Sequence, residues 1–235
     1  MAMTTEQMID FFGEQANAAA SEGMLAAKEE GHYYLATINC GEAFKCRLMK
    51  SLIQWRIGTD PSDSLSEAAE GFADDWLTVS TIGNSDTQSA DVPAERVAFV
   101  AYLIGKPYPI VPSSDGLQSD RLLDLVLGNW LFDSWNGELW EQGMEQLRRM
   151  DRTDLSVRTY ELYKSVVDAT GADLPALSQE GEKLFAKRKS DSFFSGGDQT
   201  EGGGPDNDFT VDYRLAALLK RAGFDGTSET HAWKW

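Results

Sequence analysis

The chain has 235 residues, 42% apolar and 11% aromatic, enough for a substantial core and too apolar for wholesale disorder. Its 38 acidic residues outnumber 21 basic ones, a net charge of −17 that repels nucleic acid and anionic membrane surfaces and attracts basic partners. Cys40 and Cys46, six apart inside a helical pattern, fit neither a disulfide framework nor a zinc site. The start of the chain lacks a basic segment followed by an apolar core, and no apolar run reaches bilayer length, so the expected setting is a reducing cytoplasm.

Thr4 and Gln7 have capping-box spacing and open the first helix. Met8, Phe11 and Phe12 begin an apolar face that weakens into the alanine-rich 16–27, and Gly31 breaks the run. A second helix is expected over 33–57, where Phe44, Leu48, Leu52 and Trp55 form one stripe. Arg47 and Lys50 fall off that stripe and are expected in water. After a turn at 58–61, Ser64 and Glu67 have the spacing of a second capping box, opening a helix that buries Ala68, Phe72 and Trp76. Residues 81–92 are polar and read as a connection.

Pro93 suits a first helical turn, and Val97, Val100 and Ile104 follow at near-helical spacing. Gly105 with Pro107, Pro109 and Pro112 then forces extended chain, in which Tyr108 and Ile110-Val111 could make one short strand. Ser119-Asp120 starts the best-patterned helix, with Leu122, Leu123, Val126, Leu127, Trp130 and Leu131 facing a core. Asn136-Gly137 ends it. The next helix, 138–150, turns Trp140, Met144 and Leu147 inward, and another opens at Thr153-Asp154 to bury Tyr160, Tyr163, Val166 and Val167. Residues 171–175 read as a turn, and 178–189 as a short helix whose Lys187-Arg188-Lys189 suits the negative end of its dipole. Asp208 is expected to cap a last helix through Leu215, Leu218, Leu219 and Ala222, stopped by Gly223. The tail ends in Trp233 and Trp235, which are expected to dock on the body. About nine helices and little strand signal predict an all-α protein. It reads as a single domain, 1–235, whose helical halves 1–82 and 93–235 are separated by the polar connection.

Helical patterning stops in 191–208, which holds Gly196, Gly197, Gly202, Gly203 and Gly204, five acids and no base. Two readings stand: a binding loop between two helices, or a flexible strap with Phe193-Phe194 as its foot. Its charge does not suit a phosphate cradle.

No phosphate-binding glycine motif, nucleophile elbow or HExxH is present. His32 and His231 lack neighbouring ligands at helical spacing, so neither a metal nor a cofactor is expected. Asp74-Asp75 and Asp206 with Asp208 read more readily as solvated faces or caps than as acid/base pairs. More informative is the segment 115–145. It carries seven acids (Asp115, Asp120, Asp124, Asp133, Glu138, Glu141 and Glu145), one base, Arg121, and Trp130, Trp135 and Trp140 among them. Trp135 lies at a helix end, off the core stripe, and is the candidate exposed anchor. An aromatic among acids suits a basic protein partner: charge speeds encounter and ring burial slows release. The plainer account is a helical hairpin with a wet acidic back. The expected contact set is Asp120, Asp124, Asp133, Trp135, Glu138, Glu141 and Glu145, joined by Asp198, Glu201 and Asp206 of the glycine-rich stretch.

Three segments resemble the helical immunity proteins of bacterial polymorphic-toxin and type VI secretion systems, in particular the two-part family that neutralises secreted DNase toxins. They are Leu52-Ile53-Gln54-Trp55-Arg56-Ile57-Gly58 with Asp60 and the helix from Ser64, then Ser119-Asp120-Arg121-Leu122-Leu123-Asp124-Leu125, and Tyr213 onward with its Gly223-Phe224-Asp225-Gly226 turn. The resemblance implies a non-catalytic cytoplasmic inhibitor that occludes the active site of a cognate toxin, with a basic nuclease domain as partner. The His231-to-Trp235 ending and the glycine-rich stretch are not matched in that family. Two other readings of the residues remain: a small-molecule hydrolase with its site at the acidic glycine-rich loop, and a helical adaptor.

Overall fold

The computed structural model describes residues 4–82, 94–108, 114, 117, 119–149, 154–190 and 211–226. Among them the chain forms nine helices and no strand. Helix α1 runs through Thr5–Asn17, a six-residue π turn at Ala18–Gly23, and Met24–Glu30. Its start is the expected capping box: the Gln7 N–H donates to Thr4 Oγ1 at 3.2 Å and the Thr4 N–H to Gln7 Oε1 at 2.9 Å. Gly31, at φ 68°, takes the left-handed conformation that stops it.

Helix α2, Tyr33–Arg56, buries Phe44, Leu48 and Leu52 completely, as the stripe predicts. Helix α3, Ser62–Ile82, starts two residues before Ser64. The Asp60 carboxylate accepts from both the Ser62 N–H (2.9 Å) and its hydroxyl (2.6 Å), so Asp60 caps the helix. Ser64 donates instead to Pro61 O, at 3.0 Å, and Glu67 pairs with Lys50 at 2.9 Å, so the second expected capping box is not made. Gln54 with Ser64, Lys50 with Glu67 and Arg47 with Asp75 set α2 and α3 antiparallel.

Arg47 corrects the sequence reading. Expected in water, it is buried, and its guanidinium meets Asp75 at 2.7 Å. Gly71 gives it room, since a Cβ there would lie 2.7 Å from the guanidinium carbon. Burial raises the Asp75 pKa, and Arg47 offsets only part of the rise.

Helix α4 is Ala94–Leu103, α5 Ser119–Leu131, α6 Gly137–Arg149, α7 Asp154–Asp168, α8 Leu174–Ser190 and α9 Tyr213–Arg221. Tyr108 lies in no strand and stacks on Phe132, while Ile110 and Val111 fall outside the described residues. Helix α8 starts earlier than its pattern suggested, taking Pro175 into its first turn, where a missing N–H costs nothing. The cap of α9 is Asp212, whose carboxylate accepts from the Leu215 N–H at 3.1 Å; Asp208, the expected cap, lies outside the described residues.

Helix α2 packs between α1 and α3, and α3 leans on α4. Helix α9 is the hub of the later helices, touching α4, α5, α7 and α8. Leu215 to Leu219 are wholly buried there, and one apolar core runs from Met24 on α1 through to α9. None of the described helices is long and apolar enough to cross a membrane.

Candidate functional site

Helix α5 departs from the one-sided pattern expected of it. Its apolar stripe is buried apart from half-exposed Trp130, and burial extends beyond the stripe to Asp124, Leu125 and Gly128. Gly128 makes that possible against α4, because a Cβ there would sit 2.8 Å from Ala98 Cβ and 3.2 Å from Glu95 O. Asp124 thus lies inside the bundle rather than on the acidic surface expected of it, with no exposure at all.

Three other helices supply its partners. From α4, Arg96 Nε donates to Asp124 Oδ2 at 3.1 Å. Arg214 Nη1, from α9, donates to the same oxygen at 3.1 Å, and the Tyr160 hydroxyl, from α7, donates to Oδ1 at 2.9 Å. Burial and the Asp124 charge push the Tyr160 phenol well above its ordinary pKa, so it remains a protonated donor. One turn away, Arg121 forks onto buried Glu95 with bonds of 2.7 and 3.1 Å. On the next turn of α7, Tyr163 donates to the α9 cap Asp212 at 2.9 Å. With its oxygens held by two arginines and a phenol, Asp124 fixes the packing of α4, α5, α7 and α9; it offers no free carboxylate for proton transfer.

Outside this lock lies the α5–α6 turn. Asp133 takes φ 68°, unusual for a residue other than glycine, and its exposed carboxylate is bound by Arg221 from the end of α9. Trp135 follows, 37% exposed, its ring 5.5 Å from that of buried Trp140. The Asn136 side chain accepts from the Leu139 N–H at 3.1 Å and starts α6. That helix is amphipathic: Trp140, Met144 and Leu147 point inward, as expected, while Glu138, Glu141 and Glu145 are exposed. Glu145 is paired with Arg149 one turn on, but no described cation pairs with Glu138 or Glu141.

Of the expected contact set, Asp133 and Trp135 are exposed in the α5–α6 turn, and Glu138, Glu141 and Glu145 along the outer face of α6. Asp120 is half-buried at the start of α5, 3.9 Å from Arg96, and Asp124 is internal. Asp198, Glu201 and Asp206 lie outside the described residues. The residue that the sequence reading missed on this edge is Lys164 of α7, whose ammonium stands 5.1 Å from the centre of the Trp135 ring. No local pattern could reveal it, since the contact joins the α5–α6 turn to α7. Tyr160 is buried as expected, but its bond to Asp124 was not foreseen; Arg96 and Arg214 were missed, although each falls on its helix's apolar face, Arg96 with Val100 and Leu103, Arg214 with Leu218. His32 pairs with Glu30 at the α1–α2 turn, and among the described residues no group of three or more His, Cys, Asp and Glu side chains could hold a metal ion.

No protein-family model, curated protein or solved structure matches this chain.

Proposed function

We propose that this protein is an inhibitory binding protein of the immunity class, which grips a basic toxin domain and occludes its active site. The observation that carries the reading is the edge formed by Trp135 and the first turns of α6, where Glu138 and Glu141 are exposed with no described cation beside them. A nuclease toxin must attract phosphate, and an acidic surface can take the place of nucleic acid in the same cleft. The net charge of −17 adds long-range attraction to that local fit. The resemblance to helical immunity proteins supplies the toxin class.

Co-expression with the product of the neighbouring gene provides the test. A complex that survives purification, together with loss of the partner's nuclease activity, is the expected result. A partner that neither binds nor is inhibited would count against the inhibitor reading, and turnover of a small molecule by the purified chain would put an enzyme in its place.

A further inference from the structure

Lys164 is the one cation that the fold brings to the Trp135 ring in the described structure. At 5.1 Å from the ring centre it lies within the range at which the electron-rich face of an indole attracts a cation. The same ammonium binds the Asp168 carboxylate one turn further along α7, so it has a second anchor to fall back on. Asp133 in the same turn, Glu138 and Glu141 on α6 and Glu161 on α7 are exposed acids, Asp133 paired with Arg221 and Glu161 with Arg148. Trp140 braces the indole from within, and it meets Tyr160 edge-on with ring centres 6.5 Å apart, which ties the ring to the buried lock.

We infer that Trp135 is a cation-binding platform whose resident occupant is Lys164, and that a lysine or arginine side chain of the basic partner displaces Lys164 from the ring. This rests on the reading of the edge as a surface for a basic partner. It adds the group that is recognised and the residue that competes with it. Arginine is the better displacer, because its planar guanidinium stacks on an indole and is more weakly hydrated than an ammonium. Lys164 then lowers affinity for weak cations and lets through only a partner whose other contacts compensate for its release.

The test uses the full chain and a short arginine-rich peptide as probe, so it does not depend on identifying the toxin. Lys164→Met keeps the length and apolar body of the side chain and removes its charge. It should bind the peptide about two- to five-fold more tightly than wild type at low salt, the scale of one exposed cation–π contact. Loss of any positive charge would strengthen binding in a general way, so the substitution is repeated in a Trp135→Phe background. There the specific gain should shrink by at least half, since a phenyl ring attracts cations less than an indole does. Lys164→Arg, which keeps a cation on the ring, should bind like wild type or more weakly. Equal binding by wild type and Lys164→Met, or a gain that persists undiminished in the Trp135→Phe background, overturns the inference. So does failure of every variant to bind the peptide. Failure of the neighbouring gene product to bind would instead overturn the immunity reading, and the two failures are measured separately.

Discussion

Asp124 is a wholly buried carboxylate shared by two arginines, so its charge matters at the scale of the residue. Removing its charge takes from Arg96 and Arg214 the buried carboxylate that both of them bind. Asp124→Asn is therefore expected to cost about 3–5 kcal/mol, read as a shift in urea midpoint at unchanged slope. Glu145→Gln, which breaks only an exposed pair within one helix, should cost about 0.5 kcal/mol or less. Glu95 makes a prediction of a different kind. Burial raises its pKa, and Arg121 lowers it by less. The folded protein then holds that proton more tightly than the unfolded chain does. Stability due to this group is greatest at low pH and declines as pH climbs from the ordinary value of 4.5 through the raised one. Wild type should thus lose stability relative to Glu95→Gln over that window and run parallel to it towards neutrality. Denaturation curves at a series of pH values give the slope, and the opposite slope would mean that Arg121 outweighs burial. Burial likewise pushes the thiols of Cys40 and Cys46 up to about 12, with Asp75 and Glu42 respectively adding to the rise. Both should resist a thiol reagent in the native protein and react only after denaturation.

Between elements, what decides the geometry is close approach, and here the sequence was legible in part. The Thr4–Gln7 box, the α2 stripe, the inward face of α6 and the Gly223 stop, at φ 86°, all follow from local spacing, because the forces that set them act within one or two turns. Arg47, Asp124 and Arg214 were not legible in the same way. Periodicity assigns a charge to water unless a partner is known, and Arg214 lies 90 residues from Asp124. A warning was present all the same: Asp124 shares a helical face with Leu127 and Leu131, and Asp75 with Phe72 and Val79, so these carboxylates sit in apolar rows. Close packing of α5 on α4 was hidden too, since a glycine inside a helix reads only as a weak point. Gly128→Ala tests its role. The new methyl would stand 2.8 Å from Ala98 Cβ and 3.2 Å from a backbone oxygen, neither of which is the end of a flexible side chain. It should destabilise by about 1–3 kcal/mol despite alanine's better helix propensity, and Ala98→Gly in the same chain should recover part of the loss.

Over the whole molecule, the proposed inhibitor function has charge and shape act together at the α5–α6 edge. A net charge of −17 draws any basic domain from a distance, but only as far as salt allows, roughly 8 Å at physiological ionic strength. Final capture then depends on which acids are exposed and uncommitted, and the fold sorts them. Asp124 is consumed inside, Asp133 and Glu145 are held by Arg221 and Arg149, and Glu138 and Glu141 remain without a described cation. Reversal of both to lysine should slow association with the proposed basic partner and flatten the dependence of the rate on salt, with little effect on dissociation. Trp135→Ala acts at the later stage. If Trp135 is the aromatic anchor proposed above, its loss should speed dissociation by an amount equivalent to about 2 kcal/mol or more while leaving the salt slope intact. Because Trp135 also packs on Trp140, melting temperature must be followed in parallel, so that a loss of binding is not mistaken for a loss of fold. Binding kinetics at two salt concentrations separate the stages. If a complex forms and neither the charge reversals nor Trp135→Ala change its kinetics, the partner docks on another face of the bundle. If only Trp135→Ala has an effect, the edge is an aromatic anchor without electrostatic steering.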